Sequence, residues 1–234
     1  MNWNWQAIIT YFPELLKASA TTVELVVLSS AIGLVLGLIL ALLRLSKNPL
    51  VQVFPFLYIF FFRGTPLLVQ IYLIYYGLGQ FKSIQESILW EPVLSQAYWC
   101  AIIAFTLNTA AYVAEIIRGA IQAVPKGELE AADALGMSKF QKFTRITLPR
   151  AFGIMIPAYS SEVIFMLKGS ALASAITVVD LIYTSKLIIA KTYLTFEIYF
   201  AVGVIYLLIS WVILGLFRLL DNKLNKHKYY KPLT

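Results

Sequence analysis

The sequence predicts an all-α integral membrane protein of about five transmembrane helices. Three observations predict it. The 234 residues are 60% hydrophobic and only 13% charged, against about 25% charged in ordinary soluble domains. A mean hydropathy of +0.77 cannot be folded into one water-facing globule without large exposed apolar patches. Several apolar stretches reach the roughly 20 residues of helix needed to cross a bilayer, and backbone amides in lipid must be satisfied within each segment.

The first span runs from about Thr22 to Leu43. The second, about Val51 to Leu78, is interrupted at Arg63-Gly64-Thr65-Pro66. The third covers about Ala97 to Ile117. The fourth, about Pro157 to Val179, is polar for a span, with Glu162, Lys168 and several serines. The fifth is about Phe196 to Leu219. The break at residues 63–66 has two readings: a broken membrane helix offering half-helix termini, or an interfacial segment 51–62 followed by a span from near Thr65, with Arg63 anchored at the headgroups. Gly33 and Gly37 match the GxxxG pattern that lets another helix backbone approach. No repeat or low-complexity linker divides the chain, so residues 1–234 read as one domain.

Charge orients the spans. Three loops are basic: Arg44 and Lys47; Arg118, Lys126, Lys139, Lys142, Arg145 and Arg150; and Arg218, Lys223, Lys226, Lys228 and Lys231. They alternate with poorer ones, so the positive-inside rule puts the N-terminus outside and the C-terminus in the cytoplasm. The net charge of +7 then follows from topology. A nucleic-acid surface is not indicated, because the charge lies beside membrane spans. Trp3 and Trp5 suit a membrane interface, and the N-terminus lacks the basic region and small-residue site of a removable signal. The single cysteine, Cys100, excludes an internal disulfide or thiolate cluster, and the lone histidine, His227, reads as a solvated tail residue.

The loop between spans three and four, residues 125–149, carries the most information. Pro125-Lys126-Gly127 ends the third helix. Glu128 to Leu135 reads as a short helix with acid in its first turn, where the dipole favours it. Gly136 is placed as a left-handed C-terminal cap. Ser138-Lys139-Phe140-Gln141 is a capping box that starts a second helix, ending near Leu148 ahead of Pro149. Leu135, Met137 and Phe140 put apolar surface at this elbow, which is either a docking site or a loop lying on the membrane.

Inside the spans, ionised groups are costly and are paired or face water. Asn108, Tyr112 and Glu115 share one face of the third helix at i, i+4, i+7, and Glu162 lies near the start of the polar span. Carboxylates suit an ammonium or guanidinium, and Asn can donate to a carboxylate. Asn108 and Glu162, with Ser161, Tyr112 and Glu115, are the candidate lining of a midplane substrate site. The alternative is structural: Glu115 paired with Arg118, and Glu162 with Lys168 or Arg63.

Glu130-Ala131-Ala132, three residues, Gly136, nine residues, then Ile146-Thr147-Leu148-Pro149 resembles the EAA motif of ATP-binding-cassette (ABC) importer permeases. Phe62 to Gln70 and Leu107 to Glu115 resemble the polar amino-acid branch. Residues 70–77, 134–139 and 159–163 are similar to the histidine/arginine (HisM/ArtM-like) subunits, the arginine type most of all. Where such chains read Ser-Asn-Glu, this one has Ser160-Ser161-Glu162, a departure that bears on substrate.

The resemblance implies a type I importer permease fold and no enzymatic chemistry on this chain. It implies that Glu130, Ala131, Ala132, Leu135, Gly136, Met137 and Phe140 form the coupling elbow, seated in a cleft of an ATPase. The chain has no G-x-x-x-x-G-K-[ST] loop, so ATP and magnesium belong to a separate ATPase dimer. A second permease chain, the same or an ArtQ/HisQ-like relative, a periplasmic amino-acid-binding protein and the lipid of a bacterial inner membrane complete the implied partners. The implied substrate is arginine or another basic amino acid, with glutamine, histidine, cystine or an opine as alternatives. A stand-alone ion-coupled carrier using Glu115 and Glu162 is the competing class.

Overall fold

In a computed structural model, residues 3–225 are described, and all their regular structure is helical. His227 and the basic residues Lys226, Lys228 and Lys231 lie outside them. Helix α1 (Trp5–Arg44) leads to α2 (Pro49–Gly64) and α3 (Leu67–Tyr72), which continues through a π turn and a 3₁₀ turn to Gln80. A short α4 (Lys82–Gln85) and a π turn at 90–94 form the next loop. Helix α5 (Ala97–Gln122) is followed by α6 (Lys126–Ala134), α7 (Lys139–Lys142) and α8 (Leu148–Gly169). Then come α9 (Leu181–Thr192) and α10 (Thr195–Leu224). Four helical runs are long and apolar enough to cross a membrane: α1, α5, residues 139–176 and α10. The α2–α3 pair, bent by 108°, brings the count to five when it is taken as one broken span.

Helix α1 starts seventeen residues before the span read from sequence. Glu14 and Lys17 lower the local hydropathy there, but both are good helix formers. Asn4 caps the true start, its Oδ1 accepting from the Ala7 amide at 3.0 Å. At 1.5 Å per residue the 40-residue helix is about 60 Å long, twice the hydrocarbon thickness.

Helix α5 is the centre of the bundle. Its small residues Ala101, Ala104, Ala110, Ala111 and Ala114 are fully buried. The GxxxG pair of α1 lies against it: a Cβ at Gly33 would sit 2.7 Å from Thr109 Cγ2, and one at Gly37 2.8 Å from Val113 Cγ1. Close backbone approach substitutes here for the hydrophobic driving force that lipid removes. Leu40, Ala41, Ile117, Ala151 and Met155 continue this core toward the elbow.

The break at residues 63–66 is sharp. Thr65, ahead of Pro66, is extended at φ −112° and ψ 145°, as a pre-proline residue prefers. The fourth span differs from the sequence reading. Pro149 does not end a helix: α7 passes through a π turn at 143–147 into α8, with Pro149 at its start. The wider turn accommodates the missing amide and the ring that would clash with the preceding turn. Helix α9 was not anticipated. It is too short and polar for a hydropathy signal, but Asp180 caps it, accepting from the Tyr183 amide at 2.7 Å. At the far end of α10, Asn225 donates to the Gly153 carbonyl at 2.8 Å, fitting where Gly153 has no Cβ.

Candidate coupling elbow and substrate-facing wall

The elbow is built by local rules. Helix α6 ends in a Schellman motif: the Met137 amide donates to Ala132 O at 3.1 Å and the Gly136 amide to Asp133 O at 3.0 Å. Gly136 takes φ +70°, which glycine adopts without penalty. The capping box of α7 is complete: Gln141 N donates to Ser138 Oγ at 3.3 Å, and Ser138 N to Gln141 Oε1 at 2.9 Å. The side chains of Leu135 and Phe140 are 77% and 76% exposed, the apolar tip expected from sequence. Met137 is half-buried, Ala132 is buried, and Glu130 and Ala131 face outward. Two ion pairs brace the unit. Lys142 meets Asp133 at 2.6 Å, and Arg150 forks onto Glu128, its Nε 2.9 Å from Oε2. The Arg150 guanidinium holds the Glu128 carboxyl below the usual carboxylate range.

The candidate substrate residues lie on α5 and α8, the two helices that the elbow joins. Glu162 of α8 is buried and accepts from Thr109 Oγ1 of α5 at 3.2 Å. Among the described residues none of the four ion pairs includes Glu162, so neither Lys168 nor Arg63 neutralises it at contact distance. Ser161 beside it is exposed and donates to Pro157 O at 3.2 Å. Tyr112 is half-buried, its ring 6.3 Å from Phe165 of α8 and 5.2 Å from the Arg63 guanidinium carbon.

Asn108 and Glu115 are engaged within the protomer. Asn108 is buried and donates to Gln70 Oε1 at 2.9 Å and Phe62 O at 3.2 Å. Gln70 in turn donates to Phe62 O, Thr65 O and Thr65 Oγ1 at 2.8–3.0 Å. Together they satisfy the carbonyls that the bend leaves without helical partners. Glu115 is forked by Arg118, at 2.6 and 3.1 Å, the pairing raised as the structural alternative. Gln70 and Thr109 were missed from sequence. Gln70 stands out only as an amide in an apolar run, and Thr109 not at all.

Four or five candidate spans, with an exposed, apolar-tipped elbow between α5 and α8, make a helical membrane component. Residues 33–226 match the family described as binding-protein-dependent transport system inner membrane component, and the chain belongs to that family. It is 45% identical over 230 residues to the octopine transport system permease protein OccM of Rhizobium radiobacter, covering 98% of this chain and 92% of that one. It is 42% identical over 208 residues to the histidine/lysine/arginine/ornithine transport system permease protein HisM of Escherichia coli K12, covering 89% and 87%. The solved structure of an amino acid ABC transporter with histidines contains a chain 34% identical to it, with a TM-score of 0.84, covering 95% of this chain and 100% of that one.

The chain therefore has the type I ABC importer permease fold. Such a membrane component is not an enzyme: ATP is hydrolysed on a separate subunit, and a substrate-binding protein completes the system. This assignment sets aside a stand-alone carrier.

Proposed function

We propose that this chain is an inner-membrane permease subunit for import of arginine, or of a conjugate that keeps arginine's guanidinium. The observation that carries the proposal is the Thr109–Glu162 bond. It places a buried carboxylate, with no ion-pair partner among the described residues, where α5 meets α8, the pair of helices the elbow joins. A carboxylate in that state suits a cationic ligand, and a guanidinium pairs with it in a two-pronged fork. The substrates named for the relatives agree in chemistry: octopine contains an arginine side chain, and histidine, lysine, arginine and ornithine are the basic amino acids.

In this reading Glu162, Ser161 and Tyr112 face the substrate. Asn108 positions the wall through the α2–α3 bend, and Glu115 is a substrate group only when Arg118 releases it. Residues 1–234 form one permease domain, with the elbow at 125–149 within it. The N-terminus is periplasmic and the elbow and C-terminus are cytoplasmic. A second permease chain, identical or related, closes the pathway, and a periplasmic binding protein loads it. ATP and magnesium act on the ATPase dimer, with no cofactor on this chain. ATP-driven closure presses on Leu135, Met137 and Phe140, and the pathway alternates as α5 and α8 tilt together.

The test is uptake by the full importer in liposomes, with radiolabelled arginine and competing octopine, histidine and glutamine. Glu162→Gln should assemble normally yet lower arginine uptake about tenfold or more, since a charge-assisted hydrogen bond contributes roughly 1.5–3 kcal/mol. Unchanged arginine uptake by that variant would remove Glu162 from the site. Uptake inhibited by glutamine but not by arginine or octopine would overturn the substrate.

A further inference from the structure

A cavity of about 340 Å³ opens where α1, α2 and α5 meet, and its lining includes Arg44, Phe56, Phe60, Arg63 and Glu115. The volume falls in the range of ligand sites, roughly 300–1,000 Å³. Its charge is unbalanced. Glu115 is already held by Arg118, while Arg44 and Arg63 take part in none of the ion pairs among the described residues. Among the described residues Arg44 donates only to the neutral Gln52, at 3.1 Å. Both guanidiniums are instead posed over aromatic rings, Arg44 over Phe56 at 4.9 Å and Arg63 over Tyr112 at 5.2 Å. Ring contact fixes each planar fork and leaves its N–H groups free for an oxyanion.

The position indicates the source of that oxyanion. Arg44 is the last residue of α1, and Glu115 and Arg118 lie in the last turns of α5, so the cavity is at the elbow end of the spans. Because α2 is bent by 108° from the segment after it, it runs nearer the membrane plane than the normal when α3 crosses. Its outer surface is apolar, with Leu50, Phe54, Leu57, Phe60 and Phe61 exposed. Acyl chains fit that surface while a phosphate sits between the arginines.

We propose that the Arg44–Arg63 cavity binds the phosphate headgroup of an anionic phospholipid, with its acyl chains along α2. The site adjoins the Glu162 wall, because Arg63 lies over the Tyr112 ring and Glu115 lines the cavity, but it does not depend on which substrate is transported. The test uses the assembled importer with phosphatidylglycerol and phosphatidylcholine as probes. Native mass spectrometry should show phosphatidylglycerol retained and phosphatidylcholine lost. The Arg44→Gln/Arg63→Gln double variant should weaken retention about twenty-five-fold, each arginine contributing about fivefold. Lysine at both positions should restore retention only in part, because an ammonium keeps the charge but not the planar fork, and Arg218→Gln, at the same end of α10, should change nothing.

A second readout needs no variant. Phosphatidylglycerol with a photoactivatable acyl chain should label residues 49–64 of the wild type, more than the phosphatidylcholine analogue does. Excess inorganic phosphate should reduce the labelling only weakly, whereas full displacement would assign the site to a soluble anion. Equal retention by the glutamine double variant, or no label on α2, would overturn the proposal.

Discussion

A single φ angle sets the elbow. Gly136 at +70° turns the chain between Leu135 and Phe140, whose side chains are both left exposed. No atom lies within 4 Å of the place where a Cβ would be, so a side chain there meets only backbone strain, about 1–2 kcal/mol for an L-residue. Aspartate is among the residues that tolerate this conformation best. Gly136→Asp should therefore reach the membrane and fold. Its carboxylate, however, falls between Leu135 and Met137, where a docked partner would desolvate it. The expected outcome is normal membrane content with loss of the ATPase on co-purification. An ATPase that co-purifies at the wild-type level would show that docking occurs elsewhere. These residues were readable from sequence because Schellman and capping-box rules act within six residues. The partners of Asn108 were not readable, because Phe62 and Gln70 are 46 and 38 residues away. Only the folded chain brings them to it.

At the scale of elements, the α1–α5 contact organises the bundle, and it rests on absent side chains. A Cβ at Gly37 would lie 2.8–2.9 Å from Val113 side-chain atoms and 3.1 Å from Ala110 O. Backbone cannot rotate away as a side chain can, so Gly37→Leu must push the helices apart. Overpacking of this kind costs about 1–3 kcal/mol or more. Thermal unfolding of the purified protein in detergent should shift down by several degrees, while Gly203→Ala on α10, with nothing within 4 Å, should be neutral. A Gly37→Leu protein as stable as the wild type would mean that α1 can leave α5 at no cost. Hydropathy located the spans because lipid demands about the same length of each. It lost the first turns of α1, where Glu14 and Lys17 interrupt the apolar run but not the helix. It lost α9 for the opposite reason, since a twelve-residue helix packed on α1 and α10 needs no long apolar run. The Pro149 stop failed because a π turn is invisible to a rule that counts helix or no helix.

At the scale of the whole molecule, the proposed coupling runs through the elbow and depends on how α6 is fastened to α8. Lys142 and Asp133 tie α7 to α6, and Arg150 ties α6 to the base of α8. Under the proposed coupling, a push at the elbow tip would reach the helix carrying Glu162 through the chain and through the Glu128–Arg150 fork. Glu128→Gln removes the charge from that fork but leaves Leu135, Met137 and Phe140 untouched. ATPase co-purification should be normal, and uptake per ATP hydrolysed should fall by about two- to fivefold, because a partly exposed pair contributes at most about 1 kcal/mol. The pH dependence has a definite sign. Arg150 depresses the Glu128 pKa, so the pair is intact above the ordinary carboxylate range and is lost only as pH falls through the depressed value. The wild-type ratio should therefore stay level from about pH 8 down to the ordinary glutamate pKa of about 4.3, and the Glu128→Gln ratio should be lower throughout. Raised salt should narrow the gap by screening the exposed pair. A variant whose transport-to-hydrolysis ratio matches the wild type at low salt would mean that the stroke travels through the α7–α8 backbone alone.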